Sequence, residues 1–181
     1  MDATIKKSMW NQAGKAGLAL AGISIAYMIF SQLISSGNMN EEPSTFISIT
    51  SLIVWALKIT GCILLMKFFM LKFYNSADVN KNEVFKMGMA TALLSAFVYS
   101  AIYFINLRYI STDFCIELKN TLLIQAKQEI TGEEFMRLSE MVHNYFLQFL
   151  FFTNLIYCFI YGTVISALIS RSLPKKNPFS L

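Results

Sequence analysis

The sequence predicts an all-α integral membrane protein with four transmembrane helices and an amphipathic helical outer segment between the third and the fourth. Its 181 residues are 55% hydrophobic and only 14% charged, whereas a soluble domain has roughly 25% charged residues. Four stretches are almost free of charge over the roughly 20 residues that a helix needs to cross hydrocarbon. They are apolar on all sides, which favours helices over the alternating strands of a spanning barrel. We therefore expect a single four-span membrane domain over residues 1–181.

The four expected spans cover about residues 16–34, 46–69, 87–107 and 145–169. The first is longer than the apolar region of a signal peptide, roughly 7–15 residues, and no A-x-A cleavage pattern follows it. We therefore expect it to be retained. The second is interrupted by Lys58, and the third and fourth lie in uncharged runs.

The connections between the spans are polar. Residues 35–45 are expected to form a short outer turn, and residues 73–86 a cytoplasmic link. Residues 108–143 form the one large segment outside the spans, with two apolar patterns of helical spacing and a capping-box pattern at Thr131 and Glu134. The patterns comprise Phe114, Leu118, Leu122 and Ala126, then Phe135, Leu138, Val142, Tyr145 and Phe149. Two interpretations stay open: a lid or docking surface, or an amphipathic connector lying on the bilayer.

Charge predicts the orientation, because basic residues that flank spans tend to stay in the cytoplasm. The N-terminal tail, the 73–86 link with its flanks and the C-terminal tail have ten basic residues against three acidic ones. The other two connections have four basic residues against eight acidic ones. Both termini are therefore expected in the cytoplasm. Since the basic residues lie beside the membrane, anionic lipid is the expected partner and nucleic acid is not.

Small residues recur at a spacing of four in three of the spans, which lets helices approach closely in lipid. These stripes could pack the four spans together or receive a helix of a partner, and we favour packing within the chain. The candidate packing residues are Gly17, Ala21, Gly88, Ala92, Ala96, Gly162 and Ser166.

Lys58 is the candidate contact for a partner or a ligand. It lies near the centre of the second span, where a cation costs roughly 2.5–3.5 kcal/mol, and no Asp or Glu occurs in any expected span. Four outcomes are open: the amine loses its proton, holds an anionic ligand in a wet cavity, meets a carboxylate of another protein, or snorkels along a tilted helix. Within the chain it can meet polar neutral side chains, namely Tyr99, Ser100, Tyr103, Asn106, Gln148, Asn154 or Tyr157.

Reactive constellations are missing from the sequence. Cys62 and Cys158 lie in spans, Cys115 lies apart, and no C-x-x-C pattern occurs. His143 is the only histidine and is interpreted as a polar cap. Phosphate-binding and hydrolase motifs are also missing. We therefore expect no catalytic residue, no metal site and no cofactor.

Two blocks resemble a family: AGKAGLALAGISIAYMIF in the first span and NEVFKMGMATALLSAFVYSAIYFINLRYIS around the third. The chain is similar over nearly its whole length to the bacterial four-span inner-membrane family called domain of unknown function 4199. In that family a Phe precedes a Gly-containing span with an aromatic exit, and the matching residues here are Phe85, Gly88, Tyr99, Tyr103 and Phe104. The resemblance implies a bacterial inner-membrane location and no established activity.

The leading functional hypothesis is a non-catalytic accessory or assembly subunit that packs against another membrane protein or against itself. The alternative is a small carrier or lipid-binding protein that holds an anionic group near Lys58. Comparing Lys58→Met with the parent protein for bound lipid discriminates between these two hypotheses. A membrane enzyme would need several titratable groups converging in a polar cavity.

Overall fold

The computed structural model describes residues 3–36, 45–76, 79–130 and 132–174, and all regular structure in these ranges is helical. Most of the predicted outer turn at 35–45, namely residues 37–44, lies outside the described residues, whereas Ser35, Ser36 and Thr45 are helical. The predicted N-cap Thr131 and the charged residues Asp2, Asp78, Lys175 and Lys176 also lie outside them. The elements are α1 Ala3–Ser36, α2 Thr45–Ser76, α3 Lys81–Ile105, a π-helical turn Asn106–Ile110, α4 Thr112–Glu129 and α5 Glu133–Ser172.

Four of these helices are long and apolar enough to cross a membrane, so the chain is a multi-pass membrane protein. The candidate spans are Ala3–Leu33, Ile49–Ser76, Lys81–Ile110 and Glu133–Ser172. The helices extend beyond the expected spans because apolar residues outside the hydrocarbon length still find packing partners, as shown below. The second apolar pattern of the outer segment and the fourth span form one unbroken helix, the 40 residues of α5.

The chain divides into two compact units. The first unit comprises Met1–Tyr99 and Tyr157–Leu181, and the second comprises Ser100–Ile156. Helices α3 and α5 each contribute residues to both units.

The first unit has its best-buried large side chains toward the end that carries most of the basic residues. Phe73 and Val84 are fully buried, Met70 is 1% exposed, and Met9 and Leu173 pack in the same cluster. Several of these residues lie outside the spans expected from the sequence. If this end is in the cytoplasm, water supplies the hydrophobic driving force that lipid does not supply between helices.

The start of α3 is fixed by a capping box. The Glu83 amide donates a hydrogen bond to Asn80 Oδ1 at 3.0 Å, and the Asn80 amide donates one to Glu83 Oε2 at 3.0 Å. Val79 and Val84, on either side of the cap, are both buried in the core of the first unit. This pair matches a hydrophobic staple, which sets the direction in which the chain enters the helix.

The end of α5 is held by side chains of the neighbouring helices. The Tyr74 hydroxyl of α2 donates a hydrogen bond to the Pro174 carbonyl at 2.8 Å. The Lys81 amine, in the first turn of α3, donates to the carbonyls of Leu173 and Arg171. A cation at a helix C-terminus also interacts favourably with the helix dipole.

Small residues bring α1, α3 and α5 close together within the first unit. A Cβ added at Gly17 would lie 2.9 Å from Leu94 Cβ, and one added at Gly162 would lie 2.6 Å from Ala92 Cβ. At Gly88 the added atom would lie 2.6 Å from Ser166 Oγ. No side chain larger than hydrogen fits at these three positions without displacement. The other predicted packing residues, Ala21 and Ala96, are also buried.

The second unit packs α4 against the N-terminal part of α5. Its buried cluster consists of Leu107, Cys115, Val142 and Phe146, with Leu118, Leu122 and Leu150 partly buried around it. The inner face of α4 is therefore centred on Cys115, and Phe114, which was expected on it, is 42% exposed. On α5 the inner face continues from Val142 to Phe146 and Leu150, whereas Tyr145 and Phe149 are each 63% exposed.

A π-helical turn, Asn106–Ile110, ends the third span. The Ser111 amide donates to the Asn106 carbonyl at 2.8 Å, which is the i to i+5 bond that defines such a turn. Asn106 and Leu107 are buried in the turn. The wider turn rotates the chain before α4 begins at Thr112.

Candidate functional site

Lys58 lies halfway along the apolar part of α2. It is nine residues from Ile49, where the candidate span begins, and nine from Lys67, the next cation. At 1.5 Å per residue each interval is roughly 14 Å. Lys67 is exposed, whereas Lys58 is half-buried. The amine of Lys58 therefore lies far from both ends of its span.

Two aromatic rings hold the Lys58 amine. Its Nζ lies 4.7 Å from the centroid of the Tyr27 ring on α1 and 5.5 Å from that of the Tyr99 ring on α3. Such contacts contribute roughly 0.5–1 kcal/mol each at exposed sites and about 2 kcal/mol or more each when desolvated. Two of them are therefore comparable to the roughly 2.5–3.5 kcal/mol that a cation costs at this depth. The rings position the amine but carry no negative charge.

No described carboxylate neutralises Lys58. Within residues 3–36, 45–76, 79–130 and 132–174 the structure gives one ion pair. It joins Arg137 and Glu133 of α5, whose side chains are both exposed. The partners of Lys58 among these residues are therefore neutral rings. A lone cation with neutral partners in a low-dielectric region attracts an anion strongly.

A cavity of about 380 Å³ surrounds this amine in the first unit. All four long helices contribute to its lining, and Lys58 is the one charged residue among the described residues that line it. The polar lining residues are Ser24, Cys62, Ser95, Tyr99, Tyr157, Cys158 and Tyr161, and the apolar ones include Leu20, Trp55, Ile59, Ile63, Met66 and Ile165.

The cavity has a closed floor and an open side. Ala92, Ala96 and Met66 line the floor and are at most 5% exposed. Trp55 of α2 and Tyr157 of α5 also line the cavity but are 52% and 69% exposed. Both residues lie within the candidate spans of their helices, so the cavity opens on the side formed by α2 and α5.

The structure places two of the seven expected polar neighbours of Lys58, Tyr99 and Tyr157, in the lining of this cavity. The other five, Ser100, Tyr103, Asn106, Gln148 and Asn154, belong to the second unit and do not line it. His143 is exposed on α5 in the second unit.

Sequence reasoning missed Tyr27, which is the ring nearest to the Lys58 amine. The sequence did contain a signal for this contact. An antiparallel hairpin with its turn at 35–45 places Lys58 level with residues 20–29 of the first span. Ile23 and Gly61 face each other in that hairpin, where a Cβ added at Gly61 would lie 3.9 Å from Ile23 Cδ1. Trp55 of α2 also lines the cavity.

The cysteines are separated between the units. Cys62 and Cys158 line the cavity, whereas Cys115 is buried in the cluster of the second unit. In the described part of the chain, no three His, Cys, Asp or Glu side chains are grouped as a metal site requires.

Comparison with known proteins finds one match. The model of a family described as a protein of unknown function (DUF4199) matches residues 15–171. No curated protein and no solved structure matches the chain. The matched range contains α1 from Lys15 onward, all of α2 to α4 and nearly all of α5, including every residue of the Lys58 cavity. The chain therefore belongs to the DUF4199 family.

Proposed function

We propose that this chain is a non-catalytic protein of the bacterial inner membrane that binds an anionic ligand at the Lys58 cavity, with both termini in the cytoplasm. One observation carries the proposal: an intramembrane cation lies in a preformed cavity beside neutral rings, with no described carboxylate paired to it. An anion bound there would replace the missing counter-charge. Binding sites for small ligands have this character, an apolar cavity with a few converging polar groups.

The packing of the small residues also supports binding over assembly. The stripes that could have received a partner's helix instead bring α1, α3 and α5 together, at Gly17, Gly88 and Gly162. Close packing on one side leaves a rigid floor at Ala92 and Ala96, beneath the cavity. The glycines thus shape the site and need no partner to explain them.

The test compares Lys58→Met with Lys67→Met, each purified in a mild uncharged detergent from cells that contain anionic lipid. Methionine keeps most of the length and apolar character of lysine, so the helices should stay packed. Native mass spectrometry counts the anionic molecules that stay bound. We expect Lys58→Met to lose a ligand that both the parent and Lys67→Met retain. Equal retention by all three proteins would contradict the proposal.

An accessory or assembly role is the second candidate, and the exposure of α2 favours it. Only 6% of the apolar stretch of α2 is buried. Its outward stripe includes Ile53, Leu57, Leu64 and Phe68, each more than half exposed. Lipid covers such a face by default, but another membrane protein or a second copy could cover it as well. A protein that is strictly monomeric and free of partners after mild-detergent purification would count against this role.

A further inference from the structure

The number of charges in the cavity limits the charge of its ligand. Lys58 is the sole charged residue among the described residues that line the cavity, and no Arg, His or second Lys accompanies it there. A ligand with one negative charge would be neutralised by the amine. A second negative charge would stay unpaired among apolar groups, and burial of an unpaired charge is strongly unfavourable.

The opening of the cavity limits the route of the ligand. The exposed lining residues are Trp55 on α2 and Tyr157 and Tyr161 on α5, all within the candidate spans. A ligand that enters there comes from the hydrocarbon part of the bilayer and must itself be soluble in lipid. An ion such as inorganic phosphate is not soluble in hydrocarbon, whereas an amphiphile can place its charged group in the cavity and its chain in the bilayer.

The volume of the cavity is also consistent with an amphiphilic ligand. Cavities for whole small ligands measure roughly 300–1,000 Å³, and about 380 Å³ lies near the lower limit. The cavity holds a headgroup and the first part of a chain, and the rest of the chain would leave through the opening. Hydroxyl groups of Ser95 and Tyr161 lie in the lining and can donate hydrogen bonds to the oxygen atoms of such a headgroup.

We propose that the Lys58 cavity binds the singly charged oxyanion of an amphiphile that enters sideways from the bilayer between α2 and α5. This inference rests on the proposed function and adds the charge, the class and the route of the ligand. A carboxylate and a phosphodiester both provide the required group. The experiment therefore includes one amphiphile of each type.

The protein is reconstituted in nanodiscs of phosphatidylcholine, and one competing amphiphile is added at a time. The competitors are phosphatidylglycerol with one negative charge, phosphatidic acid with about −1.5 to −2, and oleate, all with matched chains. Native mass spectrometry measures the bound fraction. We expect phosphatidylglycerol, oleate or both to bind about tenfold more tightly than phosphatidylcholine, and phosphatidic acid to bind less tightly than the preferred single anion. We expect Lys58→Met to remove the preference and Lys67→Met to keep it.

Entry between α2 and α5 is tested by fluorescence. The sequence has one other tryptophan, Trp10. A Trp10→Phe variant therefore leaves Trp55, at the opening, as the sole source of tryptophan fluorescence. We expect brominated chains on the preferred anionic amphiphile to quench Trp55 more than the same chains on phosphatidylcholine. The excess quenching should disappear in Lys58→Met.

The outcomes separate the two proposals. If no anion is preferred over phosphatidylcholine, the proposed function itself fails. If phosphatidic acid binds most tightly and depends on Lys58, the function stands but the single-charge inference is overturned. If acetate or inorganic phosphate displaces the amphiphile at equal concentration, or the excess quenching is missing, the sideways route is overturned.

Discussion

Single side chains determine how closely the helices of the first unit approach one another. The backbone of α1 lies against α3 at Gly17, where an added Cβ would also lie 3.3 Å from the Ser95 amide nitrogen and the Thr91 carbonyl oxygen. Gly22, in the same helix, has nothing within 4 Å of the same position. Both glycines follow an alanine in the sequence of α1, but Gly17 is tightly packed and Gly22 faces open space.

Gly17→Ala should destabilise the protein by about 1–3 kcal/mol, because the methyl group meets backbone atoms that cannot move aside cheaply. Gly22→Ala is the matched control and should be neutral or stabilising by up to about 1 kcal/mol, since alanine favours the helix. The free energy of unfolding in mixed detergent micelles measures both. Equal effects of the two substitutions would show that α1 does not pack on α3 at Gly17.

Phe73 anchors the cluster at the basic end of the first unit and is fully buried. Phe73→Ala should lower the free energy of unfolding by about 3–5 kcal/mol through the lost burial and the cavity that it leaves. Phe68, five residues earlier on α2, is 59% exposed, so Phe68→Ala should change it by less than about 1 kcal/mol. If Phe68→Ala is the more harmful substitution, the assignment of the two faces of α2 is wrong.

Among the elements, the helix ends show what local sequence can and cannot predict. The capping box at the start of α3 matches the local pattern N-x-x-E, from Asn80 to Glu83, although this segment was expected to be a link between helices. The π-helical turn at Asn106–Ile110 has no comparable signature. Its residue Leu107 is buried in one cluster with Cys115 and Val142, and these contacts lie outside the turn itself.

The cap of α3 provides a direct test at Asn80. Asn80→Ala removes the side-chain acceptor of the Glu83 amide, which keeps only the Asn80 carbonyl, and should cost about 1 kcal/mol of the free energy of unfolding. Asn82→Ala, at an exposed position two residues later, should stay within about 0.5 kcal/mol of the parent. Hydrogen exchange of the Glu83 and Val84 amides should accelerate in Asn80→Ala alone. Unchanged exchange would exclude the cap as the element that fixes this helix end.

Across the whole chain, the sequence predicted the number and class of the helices but only part of the candidate site. Four apolar runs suffice to predict four spans because a helix in lipid must satisfy its own backbone. Lys58 was recognisable since its charge is exceptional in such a run. The short expected turn places Lys58 level with the part of the first span that contains Tyr27, but the cavity also depends on the register of α3 and α5. Apolar runs contain little information about that register.

The orientation in the membrane follows from charges distributed over the whole chain, and it is tested by labelling in intact cells. Single cysteines are introduced by Lys86→Cys in α3 and Lys127→Cys in α4, both at exposed positions, after Cys62, Cys115 and Cys158 are replaced by serine. A maleimide that cannot cross membranes should label Lys127→Cys directly. It should label Lys86→Cys only after the cells are permeabilised, because the basic side of the chain is expected to face the cytoplasm. The reverse pattern would invert the topology and place the basic end, with its buried cluster around Phe73, outside the cell.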